Sequence, residues 1–495
     1  MNIKSQILKL LIWLPLLFFS SCADERIEVL WVPQTIEMHR GYSMQLTDPF
    51  STKNLNWRSS NPAVVTVSST GLATAVGPGN ATIYSSDNDK DIVCHLEIYP
   101  RRNILFYISA DKNGLDNGQE GNEPKQKIDE IRKGWEPDKG EMLIYTDQTD
   151  QGANLFRISD TKGDNGLYLL DTIYSYGSEN SADPEVLSRV IQTVVDDYPA
   201  DSYGMIFFSH ASGWLPKGML ANPRSSEANQ TEELNPETVD LRSLIIDNGE
   251  EMEYHAFAAA IPNHQFDFII FEACLMADVL SMYELRHKAD YVLAASPEIV
   301  SPCYTYTYAK EAMRLFDTKE DVKTVVSGFA QSYFDYITRI FPEENERCSV
   351  AMSLIKMDEM EALAAATKTA LQGVDFDELN LDVTSIQRFD RPLAGGMGKK
   401  PYSRYFDFDQ TVESLAPASN YAAFLAQMEK TVVWKVETKR FLLGNNSAGE
   451  PYFSSYNGFF IERHSGLTTY IKQGVYPEMN SAFEDSSWYE AIFLN

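Results

Sequence analysis

The sequence predicts a multidomain chain: a small all-β sandwich followed by an α/β domain whose mainly parallel sheet is flanked by helices. Three observations lead there. At 495 residues the chain is too long for a single core, so two or three domains are expected. Residues 27–99 carry short β-rich runs broken by Asn-Pro, Thr-Gly and Gly-Pro-Gly turns, the pattern of an antiparallel sandwich. From residue 100 onward, apolar runs of strand length alternate with helical periodicity, which favours a parallel sheet. The expected divisions are a signal peptide over 1–21, a tether over 22–26, the sandwich over 27–99, the α/β domain over 100–380 and a subdomain over 381–495 that completes it.

The N-terminus carries Lys4 and Lys9, then an apolar run from Leu10 to Phe19, then Ser20-Ser21-Cys22. This is a secretory signal, too short and too abruptly ended for a membrane-spanning helix. Small residues before Cys22 resemble a bacterial lipoprotein cleavage site. That resemblance implies a lipidated Cys22 as mature N-terminus, membrane contact through that anchor alone, and an outer-membrane location facing the periplasm or the surface. A formal charge of −29 argues against nucleic acid as a partner, because phosphates demand a basic surface. Five cysteines are too few for a disulfide scaffold. With Cys22 and Cys274 set aside, Cys94, Cys303 and Cys348 remain, which permits one pair that the sequence does not assign.

Within residues 27–99, Trp57-Arg-Ser-Ser-Asn-Pro and Gly71-Leu-Ala-Thr-Ala closely resemble the motifs of the bacterial Ig-like group 2 domain. Such a module implies a spacer or adhesive arm without chemistry. Cys94-His95 falls on its last strand, where packing is the expected role.

In the α/β region, Asn103–Ser109 and Glu141–Thr146 read as the first two strands. Asp183-Pro184 supplies an N-cap and a first-turn proline. Val186, Leu187, Val190, Ile191 and Val194 then give one apolar helical face, ending near Tyr198-Pro199. Two buried strands follow, Gly204–Phe208 running into His210 and Phe266–Glu272 running into Cys274, 64 residues apart. A helix over Val279–Lys288 and a strand over Tyr291–Ala295 come next. A lone buried Cys or His is ordinarily structural. Both at strand ends, where open α/β sheets bind ligands, place an imidazole and a thiol at one crevice. That is the arrangement of a cysteine nucleophile with a histidine base. No His-x-x-x-His or Cys-x-x-Cys pair offers metal spacing and no Gly-rich phosphate loop is present, so neither metal nor cofactor is expected.

His210-Ala-Ser-Gly-Trp and Glu272-Ala-Cys-Leu-Met resemble the His-Gly-x-Gly-Trp and Asp-Ala-Cys-Leu-Met of clostripain-like cysteine peptidases, and the order of the two motifs fits their caspase-like fold. Ile104–Asp111 and Ala294–Glu298 extend the likeness, which covers roughly residues 100–495. It implies peptide hydrolysis with Cys274 as nucleophile, His210 as base, and the backbone N–H groups of Cys274 and Ala211 as oxyanion hole. Ala211 stands where the family has Gly, which is costly if that position needs φ > 0. The family's preference for Arg or Lys before the cut implies an acidic pocket, for which Glu272 and Glu298 are the candidates. The polar insert 216–238 reads as an exposed surface loop; the resemblance implies a linker cut in processing, with Lys217 and Arg224 as cleavage points, and a plain surface loop is the alternative. The competing expectation is a peptidase-shaped surface protein that binds peptides without cutting them, favoured by Ala211, Glu272 and the altered Ser301–Tyr308 stretch.

Overall fold

The computed structural model describes residues 32–50, 55–116, 121–217, 245–374, 381–390, 403–442, 458–474 and 476–494. Cys22, Arg224 and most of the insert 216–238 lie outside them. The described residues fall into two compact units, one reaching Arg101 and including Asp138–Gly140, the other beginning at Arg102.

The first unit has strands β1 (Gln34–His39), β2 (Ser43–Gln45), β3 (Arg58–Ser59), β4 (Val65–Val67), β5 (Leu72–Ala75), β6 (Gly79–Tyr84) and β7 (Ile92–Tyr99). They form two sheets, ordered β1-β7-β6-β3 and β2-β5-β4. Val65, Ala73, Ile83 and Leu96 fill the space between. Gly71 takes φ +83°, and a Cβ there would stand 2.8 Å from the Trp57 ring, so the Thr-Gly turn tolerates nothing larger. Cys94 is buried in this core, and His95 Nδ1 lies 3.0 Å from Thr82 Oγ1.

The second unit is built on nine strands. In chain order they are β8 (Arg102–Ala110), β9 (Met142–Gln148), β10 (Gly152–Lys162), β11 (Tyr168–Gly177) and β12 (Ser202–Phe208). A small hairpin outside the sheet, β13 (Ile245–Asp247) and β14 (Glu250–Met252), precedes β15 (Phe266–Glu272). The sheet then takes up β16 (Ala289–Ala295) and β17 (Ala351–Lys356); the short β18 (Phe406–Asp407) stands apart, and β19 (Val432–Glu437) closes the edge. The order across the sheet is β11-β10-β9-β8-β12-β15-β16-β17-β19. β9, β8, β12, β15 and β16 run parallel, while β10, β11, β17 and β19 are antiparallel additions at both edges.

Alternation along the strands sends side chains to two separate cores. Leu105, Tyr107, Met205 and Phe207 pack on one face against helices α2 (Pro184–Asp197), α3 (Tyr254–Ala260) and α4 (Val279–Leu285). Ile104, Phe106, Ile206, Phe208 and Ile270 pack on the other against α1 (Glu123–Gly134), α5 (Tyr308–Glu311) and α6 (Val322–Ile340). The cap on α2 is as its sequence specifies: the Asp183 side chain accepts from Glu185 N–H, and Pro184 opens the helix. Residues beyond 403 supply Tyr405, Phe424, Tyr470 and Trp488 to the first of these cores, so this C-terminal stretch packs with the sheet and not as a module of its own.

Strand β8 is followed in space by β9 on one side and β12 on the other. This reversal is the topological switch point, where an open α/β sheet splits to make a crevice at its carboxyl edge.

Candidate active site

The loops that leave β8, β12, β15 and β16 meet at the carboxyl edge of the sheet. Strands β12 and β15 pair with Phe208 opposite Glu272, an offset of 64 residues. His210 and Cys274 differ by the same offset, so each stands two residues past its strand at the same level. Parallel neighbours lie about 4.8 Å apart, which is the scale of approach between an imidazole and a thiol. Gly213 shows how tightly the two loops meet. It takes φ +57°, and a Cβ on it would fall 2.4 Å from Leu275 O and 2.6 Å from Asp278 Oδ2.

Each side chain of the pair is oriented by backbone. His210 Nε2 lies 3.0 Å from the carbonyl oxygen of Asn113, in the loop after β8. A carbonyl only accepts, so Nε2 carries the proton and Nδ1 is left as the basic atom. The Asn113 side chain pins its own loop, donating to Ser109 O and accepting from Leu115 N–H. The Cys274 sulfur accepts from Ile299 N–H at 3.2 Å. The next residue, Leu275, takes φ +62° and donates its N–H to Pro297 O at 2.9 Å. The loop after β16 therefore holds the loop that carries Cys274.

Ala211 is not among the residues with positive φ. The conformation that demands glycine falls two residues later, on Gly213, so the alanine carries no backbone penalty. Tyr405, from the C-terminal stretch, donates to the carbonyl of Ser212 and fixes the far end of the same loop.

A model of the clostripain family matches residues 116–473. The chain belongs to the clostripain family. It is a clostripain-like cysteine peptidase, and a bacterial Ig-like domain (group 2) matches residues 31–93 ahead of it. The clostripain of Hathewaya histolytica is 25% identical over 424 residues, covering 75% of this chain and 74% of the relative. Among solved structures, an inactive zymogen C11 protease from Parabacteroides distasonis superposes with a TM-score of 0.62 at 26% identity, over 79% of this chain and 97% of the other. A secreted C11 cysteine protease from Bacteroides thetaiotaomicron, bound to an irreversible peptide inhibitor, shares the fold with a TM-score of 0.60 at 24% identity, over 79% and 98%.

In this clostripain-family site Glu272 does not take up the position expected of it. Its side chain is fully buried on the α1 face, with Oε1 2.7 Å from Lys127 Nζ and Oε2 accepting from Tyr308 at 2.8 Å. Lys127 also donates to Pro302 O and Thr305 Oγ1, and sits over the Phe208 ring. A carboxylate so enclosed offers no charge to a substrate cation, and the pocket role read from its place beside Cys274 is corrected accordingly. Glu298 is half-buried, next to the Ile299 amide that reaches the sulfur. Lys217 is exposed, its ammonium paired with Glu250 at 2.9 Å.

Other buried groups near the crevice escaped the sequence reading. Asp278 caps α4 by accepting from Ser281 N–H, its second oxygen has no hydrogen-bond partner, and burial pushes its carboxyl up to about 7. On the α2 face, Asp147 and Asp247 lie together, the latter accepting from the Ser181 hydroxyl and N–H. Burial and then the charge of Asp247 push Asp147 up to about 8. Cys94, Cys274, Cys303 and Cys348 are all free thiols, so the pairing that composition permits does not form. Burial raises the thiols of Cys94, Cys303 and Cys348, which keeps them protonated. Among the described residues, no cluster of three or more His, Cys, Asp or Glu is placed to hold a metal. Only Gly213 had a signal in the sequence, its place inside the His210 motif.

Proposed function

We propose that this peptidase is an exported endopeptidase, tethered through lipid on Cys22, that cuts peptides with Cys274 as nucleophile and His210 as base. The observation that carries the proposal is the common offset of 64: strand pairing and the two reactive residues share it. The Asn113 carbonyl supports the role of His210, since it selects the tautomer whose Nδ1 takes the thiol proton and later protonates the leaving amine. The backbone N–H groups of Cys274 and Ala211, at the start of the two facing loops, are the oxyanion donors in this reading. Export is supported by the N-terminal signal and by the description of one structural neighbour as secreted. Cys274→Ala is expected to abolish hydrolysis of a casein or peptide substrate while leaving the thermal midpoint unchanged. Residual turnover at the wild-type rate in that variant sinks the assignment.

For specificity, the reading is a basic residue before the cut, received by Glu298 and not by Glu272. Glu298 adjoins the amide that touches the sulfur, whereas Glu272 is already neutralised by Lys127. Processing within the insert, after Lys217 or Arg224, follows from that preference. A peptide library varied at the residue before the cut is expected to favour Lys and Arg, with the preference lost in Glu298→Gln and kept in Glu272→Gln. A neutral or aromatic preference indifferent to Glu298→Gln identifies instead a pocket rebuilt around Tyr304–Tyr308. Mass spectrometry of active enzyme reads the insert directly, and an intact insert removes processing from the reading.

A further inference from the structure

The loop that supports the nucleophile is itself anchored by a row of side chains that the reaction does not use. Ser296, the residue after β16, is fully buried, and its hydroxyl lies 3.1 Å from His464 Nε2. His464 Nδ1 lies 3.2 Å from Glu437 Oε2 at the end of β19. The His464 side chain is inaccessible to solvent, and Glu437 is partly exposed. A carboxylate only accepts, so Nδ1 carries a proton toward Glu437, and Nε2 meets the serine hydroxyl. The hydrogen bond from His464 holds the Glu437 carboxyl below its ordinary value. The other charged groups facing His464 are Lys435, whose ammonium donates to the His464 carbonyl, and Asp407, whose carboxyl lies near the imidazole.

Ser, His and Glu in a row have the composition of a hydrolytic triad. The burial of Ser296 excludes that use, because no substrate carbonyl reaches a hydroxyl with no exposed surface. What the row does reach is the segment Ser296–Ile299. One residue on, Pro297 O holds the N–H of Leu275; three residues on, Ile299 N–H points at the Cys274 sulfur. The segment bearing His464 is locked in turn: Ser353 donates to Gly466 O, and Thr468 N–H donates to Ala277 O in the nucleophile loop. Gly466 has no room for a side chain, since a Cβ would stand 2.6 Å from Val432.

We propose that Ser296, His464 and Glu437 form a positioning relay that sets the Ile299 amide against the Cys274 sulfur, making His464 a positioning residue for the reaction. The inference rests on Cys274 being the nucleophile. A backbone donor aimed at sulfur favours the thiolate over the thiol, and the relay fixes where that donor stands. The test is alkylation by a small haloacetamide in wild type, Ser296→Ala, His464→Gln and His210→Ala, with Cys274→Ala supplying the background from the other thiols. A neutral hydrogen bond is worth up to about tenfold in rate. Ser296→Ala is therefore expected to slow alkylation of Cys274 roughly fivefold to tenfold at neutral pH and to catch up with wild type as pH rises, with kcat reduced and KM unchanged. Of the titratable groups around the thiol, His210, Asp278 and Tyr405 lie outside the Ser296–Ile299 segment, while Glu298 lies on it. A moved profile that persists in Ser296→Ala combined with Glu298→Gln therefore reports the donor, and one that vanishes there overturns the relay. His464→Gln should act in the same direction; where it unfolds, Ser296→Ala alone decides. A wild-type rate and pH profile in Ser296→Ala overturns the relay. Slow wild-type alkylation that ignores His210→Ala overturns the nucleophile assignment instead, so the two failures are told apart.

Discussion

Two buried carboxylate sites lie on opposite faces of one sheet and solve the same problem differently. On the α1 face, Glu272 is neutralised by the ammonium of Lys127, with Tyr308 as a second donor. On the α2 face, Asp147 and Asp247 sit side by side, and repulsion between them is relieved by a retained proton. The difference lies in what each site depends on. The first needs a particular side chain from a helix; the second needs only a pH at which one acid stays protonated.

The largest expected effect comes from breaking the first site. Lys127→Met leaves the Glu272 charge buried and uncompensated, which costs about 3–5 kcal/mol. Urea unfolding followed by circular dichroism measures it, and a loss under about 1 kcal/mol would show that water reaches Glu272 after all.

The second site sets a pH dependence of intermediate size. Asp147 binds its proton more tightly in the folded chain, at about 8, than at its ordinary 3.8. Its stabilising contribution is therefore complete below the ordinary value and is lost as pH rises through about 8. Asp278, raised to about 7, works in the same direction. The thermal midpoint is expected to fall between about pH 5 and pH 8, and Asp147→Asn to flatten that fall without removing it. An unchanged slope in Asp147→Asn places the retained proton elsewhere.

The smallest effect sharpens the contrast. Lys127→Met combined with Glu272→Leu removes both charges, and buried ion pairs replaced by apolar groups are often neutral or stabilising. The double variant should recover most of the stability lost in Lys127→Met. Failure to recover means that Lys127 is held chiefly by Pro302 and Thr305.

The same contrast explains what was legible in the sequence. Strands β12 and β15 announce themselves as unbroken apolar runs because both of their faces are covered. Helix α2 is announced by Asp183-Pro184, a signal that acts within one turn. Glu272 was misread because its partner Lys127 is 145 residues away, and nothing local distinguishes a carboxylate that meets substrate from one that meets a helix. Ala211 looked costly because its neighbours are quoted as a motif, while the left-handed turn belongs to Gly213. The hairpin of β10 and β11 was passed over; β11 exposes much of its length and the two strands pair in irregular register, so their alternation is blurred. His464 stands alone in sequence and acquires meaning only through Ser296 and Glu437, supplied by two different strand ends.

The adjacency of β12 and β15 has a consequence for molecularity. These two strands are bonded at the centre of the sheet, yet the insert joins the chain between them. A single cut in that insert would leave one fragment bearing β8 to β12 and another bearing β13 to β19, two halves of one sheet that meet along the β12–β15 pairing. The cut protein would stay together without a covalent link, but its unfolding would become a dissociation into two chains. Its thermal midpoint would then rise with protein concentration, whereas that of the uncut chain would not.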